Sequence, residues 1–161
     1  MLAIAGCGGD DSSTTSSSSG AESTAAESTA AEQAEAPEEK TKPKVKPQKG
    51  APPKQLVTND LEEGSGPAAK AGDEVTVQYV GVNYKSGKEF DSSWSRNEPF
   101  SFALGTGLVI QGWEKGIEGM KVGGRRELII PPELGYGAAG SPPAIPPNET
   151  LVFVVDLEAI N

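Results

Sequence analysis

The sequence predicts an α+β domain, an antiparallel β-sheet wrapped on one short α-helix, behind a disordered N-terminal tether. Three observations point there. All nine aromatic residues lie at or beyond Tyr79, and the first 55 residues contain none. Past that boundary, apolar and polar side chains alternate in several short runs, the period of half-buried strands. Only the stretch from Ile110 to Lys115 (IQGWEK) carries a convincing amphipathic helical pattern.

The elements follow in order. Leu56 to Leu61 is a short strand-like stretch. From Asp73 to Tyr84, Val75, Val77 and Tyr79 alternate with Thr76 and Gln78, and Lys85-Ser86-Gly87-Lys88 supplies a turn. Glu89-Phe90-Asp91 resumes an extended course, and Phe100, Phe102 and Leu104 alternate again. The helix starts at Ile110, is ended by Gly116, and is followed by Ile117 and Met120. Arg125 to Ile130 is a strand, Pro132-Glu133-Leu134 one helical turn, and Gly137 to Pro147 a long exposed loop rich in Gly, Pro and Ala. Leu151, Phe153, Val155 and Leu157 place four apolar side chains on one face of the last strand. Residues 56–161 are thus long enough for one domain with one core.

Residues 8–55 read as a linker. Gly8 to Gly20 is Gly, Asp, Ser and Thr only, Ala21 to Glu39 repeats an Ala-Glu-Ser-Thr pattern, and Lys40 to Lys54 alternates Lys with Pro. Such a chain buries too little apolar surface to offset the entropy of ordering it. The six lysines of the last zone read as a solvated, polyproline-like spacer, with weak attraction to anionic lipid headgroups as the sharper alternative. Charge divides as well: residues 1–55 carry -2 and residues 56–161 carry -7. At the N-terminus, Ile4-Ala5-Gly6-Cys7 resembles the lipobox of bacterial lipoproteins, which implies lipidation at Cys7 and a chain held on acyl anchors outside the cytoplasmic membrane. Only six residues precede Cys7, fewer than the basic region and apolar core of about 7–15 residues that a secretory signal needs, so residues 1–7 are expected to be the remnant of a signal. A stray cysteine in a disordered tail is the plain alternative.

Composition excludes much chemistry. With His 0, there is no Ser-His-Asp or Cys-His catalysis and no HExxH zinc helix; Cys 1 permits neither an internal disulfide nor a thiolate zinc cluster. A net charge of -9 disfavours nucleic acid, and no apolar run approaches the ~20 residues of a membrane span. What remains is carboxylates, hydroxyls, backbone groups and aromatic surfaces.

Six motifs run collinearly through this domain: VQYVG around Tyr79, GKEFDSS at Gly87 to Ser93, RNEPFSFALG at Arg96 to Gly105, VIQGWEKGIEGMKVGG at Val109 to Gly124, PPELGYG at Pro131 to Gly137, and IPPNETLVFVVDL at Ile145 to Leu157. In that order and spacing they resemble the FKBP-type peptidyl-prolyl isomerases, over roughly two thirds of the chain. The resemblance implies a strongly bent sheet curved around the helix, with a substrate proline bound between them. It places Tyr79, Phe100, Val109, Trp113, Ile145 and Phe153 among the substrate-binding residues, Trp113 as the floor, and Asp91, Tyr136, Ile110 and Phe90 as the catalytic group. Ile110 would offer its backbone N–H to the bound peptide. The family implies no cofactor and no metal, proline-containing polypeptides as substrates, and macrolides such as tacrolimus or rapamycin as inhibitors.

Four departures or open positions accompany it. Many relatives carry a histidine where Ser141 stands and a larger aliphatic where Ala144 stands, which makes the loop over the pocket less apolar. Phe102 reads as core. Trp94, after FDSS, reads as a pocket-rim contact or as a loop residue. The functional expectation is a prolyl isomerase, monomeric and lipid-anchored, assisting folding of exported proteins. A Pro-peptide binding module without useful turnover is the alternative, and a purely structural surface lipoprotein a weaker third.

Overall fold

Val75, Val77 and Tyr79 point to one side of a strand and Val80, Val82 and the following Tyr84 serve the other, so this stretch is buried on both faces. That two-sided burial makes β2 (Glu74–Asn83) a central strand of the computed structural model, which describes residues 40–161. Cys7 and the linker up to residue 39 lie outside the described residues. The other strands are β1 (Val57–Glu62), β3 (Glu89–Ser92), β4 (Phe100–Ala103), β5 (Arg125–Ile130) and β6 (Leu151–Ile160). All pairings are antiparallel and the sheet order is β1-β5-β6-β2-β3. β4 joins the same edge of β2 as β3, pairing through Glu74 to Val77 where β3 pairs through Val80 to Val82. The expected α+β class, an antiparallel sheet with one short helix, is the fold observed.

The helix α1 (Gln111–Ile117) lies against β5. Its buried face is Gly112, Trp113, Gly116 and Ile117, the spacing of one helical stripe. The pattern placed the helix end at Gly116, but the helix continues through it. A Cβ on Gly116 would meet Leu128 Cδ2 at 2.7 Å, so this glycine serves close helix–sheet packing rather than termination. The chain leaves the helix at Glu118, whose ψ of 130° is extended, and Gly119 completes the turn with a φ of +80°, the left-handed conformation that suits glycine. At the other end the Glu114 carboxylate accepts the Gly107 N–H at 2.6 Å, and Arg126 donates to the Gly116 carbonyl at 2.9 Å near the C-terminus.

Two apolar clusters sandwich the sheet. The larger gathers Val75, Val77, Phe102, Ile117, Leu128 and Val155 between sheet and helix. The smaller, Val80, Val82, Tyr84 and Val152, lies on the outer face. There the Lys/Pro stretch departs from the expectation of a free spacer. Val45 and Trp94 pack on the outer cluster, and the Gln48 N–H donates to the Tyr84 carbonyl at 3.1 Å. Lys40 Nζ donates to the Gly123 carbonyl at 2.6 Å and pairs with Glu62 at 2.8 Å. The physical reason is that β2 and β6 leave apolar side chains on both faces, and the outer ones need a cover. Trp94 belongs to that cover, not to the pocket rim. In the loop from Gly137 to Pro147, Ser141 and Ile145 bridge each other and Asn83 Nδ2 donates to the Ala144 carbonyl at 3.2 Å, so the loop is tied back.

Candidate active site

β2, β3, β4, β6 and α1 each send an aromatic side chain into the space where helix and sheet diverge. Trp113, on the first turn of α1, is the hub. Its ring meets Tyr79 edge-on at 4.9 Å between centroids, Phe153 at 5.2 Å and Phe100 at 6.1 Å. Phe90 from β3 meets Phe153 edge-on at 5.4 Å. Gly81 makes that last contact possible: a Cβ there would lie 2.7 Å from both Phe153 Cε1 and Phe90 Cζ. Perpendicular packing of this kind sets the hydrogen-bearing edge of one ring against the face of the next.

These rings, with Asp91, Val109, Ile110 and Tyr136, line a cavity of about 440 Å³. Nine of the ten sequence-predicted site residues meet there. Ile145 does not line it; with 4 % exposure it sits in the core cluster, where its backbone closes the bridge to Ser141. The loop residues Ser141 and Ala144 are also absent from the lining. Phe102 is core, stacked on Phe100 at 5.4 Å.

The polar side of the cavity is a three-residue network. The Tyr79 hydroxyl donates to Asp91 Oδ2 at 2.5 Å and accepts from Arg96 Nη2 at 2.9 Å, while Arg96 Nη1 closes the triangle on Asp91 Oδ1. The Ser92 N–H donates to the same Oδ1 at 2.8 Å. Burial pushes the Asp91 carboxyl up, but the hydrogen bonds from Tyr79 and Arg96 outweigh it and hold the group below its ordinary value. For Tyr79 burial comes first and the neighbouring carboxylate adds to it, so the phenol is pushed up. Arg96 is raised by its hydrogen bonds to Tyr79 and Asp91 and stays charged. Behind the network Ser93, fully buried, accepts the Tyr79 N–H at 2.8 Å on its Oγ and returns its own N–H to the Tyr79 carbonyl at 3.1 Å. The serine of the FDSS motif therefore locks β3 to β2 under the site.

Three lining residues carry donors without internal partners: the buried Trp113 Nε1–H, the Ile110 N–H and the Tyr136 hydroxyl. Neither the Ile110 N–H nor the Tyr136 hydroxyl makes a hydrogen bond among those the described residues form. Ile110 precedes α1 with φ -61° and ψ 148°, so its N–H is one of the donors a helix start leaves free. Arg96 and Leu108 escaped the sequence reading. For Arg96 the available signal was a cation five residues after Asp91; for Leu108, 71 % exposed at the cavity mouth, an aliphatic residue after two turn glycines.

Comparison with known proteins decides the family. Residues 66–158 match the model of the FKBP-type peptidyl-prolyl cis-trans isomerases. The chain belongs to that family. It is 54% identical over 120 residues to an FK506-binding protein of Streptomyces anulatus, covering 74% of this chain and 97% of that one. A probable FK506-binding protein of Corynebacterium glutamicum is 50% identical over 116 residues, covering 72% and 96%. Among solved structures, AtFKBP13 superposes with a TM-score of 0.62 at 38% identity, covering 68% of this chain and 96% of that one. FkpA from Escherichia coli gives 0.60 at 50% identity, covering 66% and 48%. The fold and the enzyme class of this FKBP-type isomerase rest on these matches.

Proposed function

We propose that this FKBP-type isomerase accelerates rotation about X-Pro bonds by non-covalent binding of the twisted amide in the cavity around Trp113. The observation that carries the mechanism is the composition of that cavity: aromatic edges on its floor and walls, an ionised Asp91 held aside by Tyr79 and Arg96, and free donors at Ile110 and Tyr136.

Rotation about an X-Pro bond is slow because twisting the amide breaks its resonance, and uncatalysed exchange takes tens to hundreds of seconds. The planar amide is the more dipolar form. An aromatic pocket that excludes water disfavours it relative to the twisted form, and so binds the transition state more tightly than the ground state. The Ile110 N–H and Tyr136 hydroxyl hold the flanking peptide while the bond turns, and no proton or covalent bond changes hands. The Asp91–Arg96–Tyr79 triangle keeps the Tyr79 ring fixed against Trp113.

The relatives named for FK506 support the further reading that tacrolimus and rapamycin fill this same cavity. The lipobox-like Ile4 to Cys7 and the polar stretch after it support a lipid anchor and a place beside the outer face of the membrane, acting on exported polypeptides.

The experiment is exchange spectroscopy on an Ala-Leu-Pro-Phe-type peptide with the full chain, with and without rapamycin. Rapamycin-sensitive acceleration is expected. Tight peptide binding with no acceleration would replace catalysis by the binding-module reading. Mass spectrometry of Cys7 from membrane fractions, against Cys7→Ser, checks the anchor; an unmodified thiol refutes it.

A further inference from the structure

The segment from Lys40 to Ala51 runs over the outer face of the sheet, anchored on β1, β5, β6 and Tyr84, and through Lys42 it reaches the segment that carries the polar half of the site. Pro43, Val45 and Gln48 are partly buried while Thr41, Lys44 and Lys46 face solvent. Val45 packs against the outer cluster of Val80, Val82, Tyr84 and Val152, the same cluster that Trp94 packs on. Three residues ahead of Val45, Lys42 Nζ reaches Glu89 Oε2 at 2.9 Å and Ser95 Oγ at 2.9 Å, and Ser95 Oγ itself donates to Glu89 at 3.2 Å. Further anchors fix the two ends. Arg125 Nη2 donates to the Thr41 carbonyl at 2.9 Å, and the Tyr84 hydroxyl donates to the Ala51 carbonyl at 3.4 Å.

The residues Lys42 grips, Glu89 and Ser95, interleave along the chain with Phe90, Asp91 and Arg96, which form the site. Within the sheet that stretch is held by β2 alone, through the Ser93 and Asp91 contacts to Tyr79. β3 is an edge strand of four residues, paired on one side only, and its register to β2 slips between Gly81 and Val82. An edge strand with one partner is free to shift unless something covers it.

We propose that the Lys40–Ala51 strap is a positioning element of the isomerase site, with Lys42 and Val45 as its positioning residues. Val45 fastens the strap on the outer cluster that also seats Trp94, and Lys42 ties Glu89 to Ser95, so the two flanks of the Asp91-to-Arg96 turn keep the separation at which both side chains meet Tyr79. The inference rests on the isomerase reading above. An exposed ion pair alone holds little, so the packed Val45 contact and the three-way Lys42 bridge act together.

The test uses the full chain carrying Lys42→Ala with Val45→Ser, beside Lys42→Arg and Lys44→Ala. Two readouts are taken well below the unfolding temperature: kcat/KM for peptide exchange, and amide hydrogen exchange residue by residue. The expected result is a loss of about tenfold in kcat/KM for the double variant, as for a modest misplacement of site groups. Faster amide exchange should be confined to Ser93, Arg96 and Asn97, with β5 and β6 protected as before. Lys42→Arg and Lys44→Ala should stay near the parent chain. Unchanged kcat/KM in the double variant overturns the proposal. So does a loss accompanied by uniformly faster exchange, which would mark general destabilisation. A parent chain without catalysis would sink the isomerase reading alone; protection at those three amides would still decide, and its persistence in the double variant would overturn the strap's role.

Discussion

Gly112→Ala sets two opposing effects against each other at the position that seats Trp113. Alanine is the better helix former by about 1 kcal/mol, so on local grounds the change stabilises. The packing says otherwise. A Cβ at residue 112 would stand 2.4 Å from Ile130 Cγ2, 2.7 Å from Cδ1 and 2.8 Å from Cγ1, where carbon atoms ordinarily rest about 3.5–4.0 Å apart. Ile130 is fully buried and β-branched, so no rotamer removes all three atoms from the path. The helix must therefore back away by roughly 1 Å, and overpacking of that kind costs about 1–3 kcal/mol. The two effects leave a net loss of about 0–2 kcal/mol, and at its midpoint of about 1 kcal/mol Tm drops by about 4–8 °C for a domain of this size. Activity should fall further than stability, by at least about tenfold in kcat/KM, because Ile110 and Trp113 move with the helix. Thermal unfolding and peptide exchange measure the two effects. A double-mutant cycle with Ile130→Ala isolates the clash: in that background Gly112→Ala should be neutral or stabilising. An alanine variant that unfolds at or above the parent temperature and keeps full activity would refute the argument.

Other predictions test the polar side of the cavity. Arg96→Met should lower kcat/KM severalfold while stability moves by less than about 1 kcal/mol, because its pair with Asp91 is nearly half exposed; side-by-side urea melts and exchange rates check this. The Asp91 carboxyl is depressed below its ordinary 3.8, so its contribution is present above that value and disappears as pH falls through the lower folded one. Tyr79 is raised above 10.0, so its neutral form persists to still higher pH. Exchange rates should therefore be flat from about pH 5 to 9 and decline only at the extremes; a step near neutrality in a pH–rate profile would contradict the network. Ile110→Pro fits the observed φ of -61° yet deletes the free N–H, whereas Ile110→Val keeps it. Proline should weaken peptide binding about tenfold relative to valine, the worth of one hydrogen bond, as read by titration calorimetry.

Alternation of apolar residues was enough to locate β2, β4 and β6, since it reports which side chains of an element turn inward; β3 was read from the turn before it. The 3-10 turn Pro132–Leu134 was equally legible, as was Phe102 as core. The collinear motifs brought nine site residues to one cavity. Local pattern failed where the deciding partner is remote. Gly116 looks like a helix stop until Leu128 is seen across from it, and Trp94 looks like a rim aromatic until it is found on the outer cluster. Ile145 carries the composition of a pocket wall, but the bridge to Ser141 turns it into the core.

The sequence by itself determined the strand periods, the single amphipathic helix and an aromatic inventory suited to chemistry without histidine, because these depend on residue type and spacing along one element. Only the tertiary structure decided that Arg96 closes the Asp91–Tyr79 pair and that the Lys/Pro stretch lies on the sheet instead of trailing free. Both depend on where β2 and β6 bring their second faces. Val80, Val82 and Val152 are ordinary strand residues in a linear reading, and become a surface to be covered only when the strands pair.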